Sequence, residues 1–199
     1  MPVIIGIDEA GRGPIAGPVS VGVVRVEEGF DILGTFPGLN DSKQLSEKRR
    51  EVLFGLLEEE VAKGTVAFSV ELRSAKAIDT DGIVPSIQNA LDTALGSLFA
   101  ISESTNGKVF LDGSLHARKE YVQETVIGGD GIIPVIMLAS VAAKVVRDHH
   151  MVREIASRFP AYNFEKHKGY GTKAHYEAIA THGLCEEHRR SYLKRITQS

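Results

Sequence analysis

Val3-Ile4-Ile5-Gly6-Ile7-Asp8-Glu9-Ala10-Gly11-Arg12-Gly13-Pro14-Ile15-Ala16-Gly17-Pro18 is an apolar run that ends abruptly in two acids and a glycine-rich turn. A short apolar run bounded by turn residues reads as a buried strand. Two carboxylates at its end would sit at the edge of a core, where desolvation makes charge expensive. They need a partner there, and a hard cation is one candidate.

Working outward, Val19 to Val26 is a second β-branched run, separated from the first by turn residues, and predicts an antiparallel neighbour. Residues 27 to 40 read as a loop. Ser42 or Ser46 is placed to cap a helix over Glu47 to Lys63, whose Val52, Leu53, Leu56, Leu57 and Val61 fall at helical spacing. Alternating Val66, Phe68, Val70 and Leu72 predict a third strand over Thr65 to Leu72. A short helix over Ser74 to Asp79 and a longer one over Pro85 to Ile101 follow, then strands at Lys108 to Leu111 and Tyr121 to Ile127. The longest helix is predicted over Pro134 to Phe159, with Pro134 tolerated in its first turn and Pro160 stopping it. Two more are expected, near Lys173 to Thr181 and near His188 to Arg195. Three strands in succession, then helices alternating with short strands, give the fold class as α/β, a mixed five-stranded sheet flanked by helices.

At 199 residues, 43% hydrophobic and 25% charged, the chain suits one well-buried core, so residues 1–199 are expected to form a single domain. The net charge of −3 announces no polyanion partner, but the average hides an asymmetry. Lys166 to Arg195 holds seven basic residues against three acids, leaving the rest more acidic than the mean. An acidic body with a basic end suits cations held in the body and phosphates gripped by the end. The lone Cys185 excludes an intramolecular disulfide and fits a reducing compartment. With neither a basic leader nor a long apolar stretch, the chain is expected to be cytoplasmic and away from membranes.

Asp8 and Asp112 end apolar runs in the same manner, carboxylate then turn glycine, so neighbouring strands would bring them together at a sheet edge. Glu9 should point to the opposite face unless the strand already turns there. Ser140, Lys144 and Asp148, at i, i+4 and i+8, share one face of the longest helix. Taken alone, Lys144 and Asp148 read as a surface ion pair; the apolar residues around them instead predict burial. The spacing of Gly11, Gly13 and Gly17, with Pro14 removing an amide, argues against a dinucleotide loop. Tyr170, between glycines and beside Lys166, His167 and Lys168, suits stacking on a base or sugar. The histidines lack metal-ligand spacing with cysteine, so no structural zinc is expected.

Gly6-Ile7-Asp8-Glu9-Ala10-Gly11-Arg12-Gly13, Asn40-Asp41-Ser42-Lys43, Leu111-Asp112-Gly113, Ala142-Ala143-Lys144-Val145-Val146-Arg147-Asp148 and His167-Lys168-Gly169-Tyr170-Gly171-Thr172 together resemble ribonuclease HII. The resemblance implies an RNase H-like fold with a helical C-terminal extension over about residues 160–199. It implies an enzyme that hydrolyses the RNA strand of RNA-DNA hybrids and incises 5′ of ribonucleotides embedded in duplex DNA, leaving 5′-phosphate and 3′-hydroxyl ends. Position by position, it implies Asp8, Glu9, Asp112 and Asp148 as catalytic, Mg²⁺- or Mn²⁺-binding acids. It further implies Gly11, Arg12 and Gly13 as readers of the 2′-hydroxyl, Tyr170 at the RNA-to-DNA junction, and Lys43 and Lys144 near the backbone, with Ser140 counted among the substrate-binding positions. Two departures stand out: Gly128 replaces a usual lysine, and Gln198-Ser199 closes the chain without the aromatic tail some members use to hold a sliding clamp. A monomer without clamp docking through that tail is therefore expected. A binding module without catalysis, its acids serving only as caps, is the other reading the residues permit.

Overall fold

The structure, a computed structural model, describes residues 2–101 and 107–194. The strands are β1 (Val3–Ala10), β2 (Val19–Glu27), β3 (Val66–Arg73), β4 (Gly107–Asp112) and β5 (Val122–Val126). They form one sheet in the order β3-β2-β1-β4-β5, antiparallel where β2 meets β1 and β3, parallel where β4 meets β1 and β5. The helices are α1 (Ile32–Thr35), α2 (Glu47–Ala62), α3 (Ala75–Asp81), α4 (Ile83–Ile101), α5 (Pro134–His150), α6 (Ala156–Arg158), α7 (Phe164–His167) and α8 (Lys173–His182). The mixed five-stranded sheet between helices is the architecture the hydrophobic patterning predicts.

Alternation along the strands divides the core into two layers. Val3, Ile5, Ile7, Val109 and Leu111 pack toward Leu91 and Leu95 of α4, while Ile4, Val24, Val26 and Phe110 pack toward α2 and α5. Each such side chain taken out of water contributes about 1.5–3 kcal/mol before entropy is counted. α5 lies unusually close to the sheet because two facing positions lack a side chain. A Cβ on Gly6 would fall 2.2 Å from the Val135 carbonyl oxygen, and one on Gly22 2.5 Å from that of Ala139. Gly22 is the register partner of Asp8, so the close approach occurs beside the acid. Hence α5 is buried nearly all round, as its composition predicts.

Ser46, rather than Ser42, caps α2, its hydroxyl accepting from the Arg49 amide. The expected loop over residues 27 to 40 contains α1, capped by Asp31 and too short to show a period. The long helix is continuous through a π turn at Met151–Ile155 into α6. The helix expected from His188 to Arg195 does not form over the described residues, and Arg195 lies outside them. Instead Ala16 bridges His188, the Arg189 amide donates to the Ile15 carbonyl at 2.8 Å, and only a 3₁₀ turn at Arg190–Tyr192 follows. Extended pairing with the glycine-rich turn is what draws this backbone out of helical geometry. Among the described residues no helix is long and apolar enough to cross a membrane.

Candidate active site

The parallel register of β1 and β4 sets Ile4 beside Lys108 and Ile7 beside Leu111, which puts Asp8 level with Asp112. With a period of two, both acids face α5, where Phe110 and Gly6 already point. Asp8 is almost fully buried. Its Oδ1 accepts the Glu9 amide at 2.7 Å, while Oδ2 is buried with no hydrogen-bond partner among the described residues. Burial pushes its carboxyl up from 3.8 to about 8; the Ser140 hydroxyl opposes this, and the charges of Glu9 and Asp112 add to it. Ser140 is held in turn by Ser42, with 2.7 Å between their hydroxyls.

Asp130 completes the convergence. It sits in a single 3₁₀ turn, Gly129–Gly131, entered through Gly128 at φ +69°, a left-handed conformation that suits glycine. Its amide donates to Asp112 Oδ1 at 3.3 Å, and its Oδ2 accepts from Lys43 Nζ at 2.8 Å. That hydrogen bond is the main reason the Lys43 ammonium is held above its usual range. One carboxylate oxygen from each of Asp8, Asp112 and Asp130 lies within 4.8 Å of the others, room for one cation with oxygen ligands.

The four acids expected from the sequence are only partly assembled this way. β1 stays regular through Ala10, so Glu9 does point to the α4 side of the strand. It nonetheless lines the same cleft as Asp8 and Asp112, because the cleft lies off the strand end; Arg12 holds its carboxylate at 3.2 Å. Asp148 is outside the converging group among the described residues. It accepts from Lys144 Nζ at 2.8 Å, with Arg147 Nη1 at 3.8 Å, and this placement has a simple cause. A carboxylate four residues from a lysine on a packed helix finds that lysine first. The pair is no surface ornament either, since the two side chains are 18% and 8% exposed. Burial draws the Lys144 ammonium down, opposed by Asp148, and Nζ stands 5.6 Å from the centre of the Tyr170 ring.

The cleft, about 280 Å³, is also lined by Gly11, Arg12, Gly13, Lys43, Lys144 and the half-exposed Tyr170. A larger cleft of about 570 Å³ lies between Ser74–Thr80 and Glu186–Arg190, away from the acids, and Asp79 there is occupied by the Arg190 and Ser191 amides. Behind the glycine turn stand two fully buried arginines. Arg147 donates to the carbonyls of Pro18 at 2.8 Å, Lys168 at 3.1 Å and Ala16 at 3.4 Å. Arg189 donates to those of Gly17 at 2.9 Å, Arg12 at 3.0 Å and Gly11 at 2.6 Å. A Cβ on Gly11, at φ +85°, would collide with Arg147 Nε.

Sequence reasoning overlooked Asp130, Arg147 and Arg189. For Asp130 a signal existed: a carboxylate in a glycine turn after a strand, the pattern that singled out Asp8 and Asp112. For Arg189 there was none, because a basic residue in a basic segment reads as solvated.

The Ribonuclease HII family model matches residues 5–195. A protein named Ribonuclease HII from Endomicrobium trichonymphae is 43% identical over 191 residues, covering 95% of this chain and 84% of that protein. Ribonuclease H2 from Pyrococcus horikoshii OT3 superposes with a TM-score of 0.69 at 24% identity over 95% of this chain and 93% of that one, and so shares the fold. Bst-RNase HIII, solved in complex with Mn²⁺, superposes at 0.62 and 17% identity over 90% of this chain and 70% of that one. A sequence match spanning nearly every element described above, with the acids gathered at one sheet edge, has one reading: the chain belongs to the ribonuclease HII family, type II ribonucleases H that are hydrolases.

Proposed function

We propose that the chain is a metal-dependent endonuclease that hydrolyses the RNA strand of RNA-DNA hybrids. It also incises 5′ of a ribonucleotide embedded in duplex DNA, leaving 5′-phosphate and 3′-hydroxyl ends. Two observations together carry this reading: Asp8 keeps a buried Oδ2 without a partner among the described residues, and one carboxylate oxygen of Asp8 lies within 4.8 Å of one from each of Asp112 and Asp130. An orphaned buried carboxylate oxygen costs stability, and a cation removes that cost. A binding module whose acids are mere caps gives no reason for it.

The donor set is all carboxylate oxygen, which fits Mg²⁺ or Mn²⁺. Asp8, Asp112 and Asp130 would hold the ion, with Glu9 at the cleft wall as a further ligand. When bound, a divalent cation supplies Lewis-acid stabilisation of charge developing on the phosphoryl oxygens. Lys43 and Lys144 neutralise the phosphates on either side of the cut. Asp148 takes the role of holding Lys144 in place rather than binding metal. Gly11, Arg12 and Gly13 present backbone to the 2′-hydroxyl, the group that separates RNA from DNA. Tyr170 packs on the sugar or base at the junction. Residues beyond about 160 belong with the catalytic domain and grip the duplex backbone. The enzyme acts as a cytoplasmic monomer.

Purified protein, with Mg²⁺ or with Mn²⁺, is expected to nick a duplex carrying one ribonucleotide on its 5′ side. Folded protein that leaves this duplex and an RNA-DNA hybrid intact with both ions overturns the reading.

A further inference from the structure

The turn between β1 and β2 is held from behind by an unusual arrangement. Its carbonyls at Gly11, Arg12 and Gly17 accept from Arg189, and those at Ala16 and Pro18 accept from Arg147. The Tyr192 hydroxyl gives the Arg12 carbonyl a second donor at 3.1 Å, and the Arg189 guanidinium lies 5.3 Å from the centre of the Tyr192 ring. Within a planar trans peptide the carbonyl and the following N–H point in opposite directions. Drawing the Gly11 and Arg12 carbonyls toward Arg189 therefore turns the Arg12 and Gly13 amides away from it. The cleft lies on the far side: Gly11, Arg12 and Gly13 line it and the fully buried Arg189 does not. Among the described residues neither the Arg12 nor the Gly13 amide donates to a protein group.

We infer that Arg189 is a specificity-determining positioning residue: by fixing the Gly11 and Arg12 carbonyls it aims two free amides at the sugar oxygen beside the cut and so sets the preference for ribose over deoxyribose. The inference rests on the proposed nuclease function. Arg189 touches no substrate. Its planar fork serves three carbonyls at once, which a lysine's point charge does not reproduce. The loop amides are then fixed before substrate arrives, so that little ordering cost remains at binding.

The test uses the full chain with Ca²⁺ in place of Mg²⁺, measuring affinity for a duplex with one ribonucleotide and for the same duplex in all-deoxy form. Cleavage with Mg²⁺ is followed in parallel. Arg189→Lys is expected to lower the ribo-to-deoxy affinity ratio about tenfold, the scale of a charge-assisted hydrogen bond, with all-deoxy binding changed less than about twofold. Tyr192→Phe, which removes one donor from the same carbonyl and leaves the fork in place, is expected to lower the ratio about two- to threefold. A merely structural role would weaken both duplexes equally. An unchanged ratio in Tyr192→Phe, together with an unchanged ratio or equal losses in Arg189→Lys, overturns the inference; if Arg189→Lys fails to fold, Tyr192→Phe alone decides it. Wild-type protein that fails to cleave the ribonucleotide duplex sinks the proposed function instead, and is read separately.

Discussion

Two buried charged regions lie a few residues apart at one end of β1, and they treat charge in opposite ways. Behind the turn, Arg147 and Arg189 spend their guanidinium donors on six backbone carbonyls. In front of it, Asp8 keeps an oxygen with no partner and its carboxyl is pushed to about 8. The first region has its guanidinium donors hydrogen-bonded to backbone, so it reads as scaffold. The second is left short of positive charge, which is how a site awaiting a cation looks. Burial alone does not mark the candidate site; an unsatisfied carboxylate oxygen on an acid that converges with two others does.

Substitutions at the acids should show the largest effect. Asp112→Asn and Asp130→Asn are expected to lower Mg²⁺-dependent cleavage by on the order of a hundredfold or more, as loss of one preorganised charge-stabilising group does. Asp148→Asn, acting through Lys144, is expected to cost nearer tenfold and to leave Mg²⁺ affinity by calorimetry intact. Should Asp148→Asn abolish metal binding while Asp130→Asn does not, the two acids exchange places.

On the scaffold side, Arg147→Met leaves carbonyls of residues 16, 18 and 168 without their donor. Denaturant unfolding should register a loss of about 2–3 kcal/mol, the cost of unsatisfied buried polar groups. A change below about 0.5 kcal/mol would mean water replaces the guanidinium, and the contrast between the regions would dissolve.

Further effects come from pH. Between about 4 and about 8 the folded metal-free protein holds a proton on Asp8 that the unfolded chain has lost. Stability should therefore fall as pH rises through that window, by at most about 1.4 kcal/mol per unit for one proton. Asp8→Asn should abolish this slope and raise the melting temperature in EDTA, at the cost of activity. Added Mg²⁺ should stabilise the wild type and leave the variant unmoved, as thermal melts can establish.

A second pH effect runs the other way. His175 and His188 are buried with their Nε2 atoms 3.1 Å apart, and burial draws both down from 6.5 to about 4. Between those values the unfolded chain binds protons the folded one refuses, so the stability they supply is complete above 6.5 and is lost as pH falls toward 4. Melts in the Asp8→Asn background should show this isolated loss on acidification; a flat profile contradicts it.

The fold was largely legible because one face of each long element is buried, which writes a period into the residues. Alternating Val66, Phe68, Val70 and Leu72 marked β3, the apolar residues around Lys144 and Asp148 marked a buried helix, and Asp8 and Asp112 betrayed themselves by standing where apolar runs stop. Elements a few residues long carried no period, so α1 was read as loop and Arg190–Tyr192 as helix. Asp130 was overlooked because its turn meets Asp112 through space, 18 residues away in the chain.

What the sequence by itself determined is therefore the long elements, the burial of the longest helix, and two of the acids, all consequences of local periodicity and the cost of burying charge. Only the tertiary structure decided that Asp130 converges on Asp8 and Asp112, that Asp148 pairs with Lys144, and that Arg189 is buried under a loop 170 residues and more earlier in the chain. The reason is physical: a charged side chain takes whichever partner lies nearest in space, and spatial distance across a sheet edge is not written in spacing along the chain.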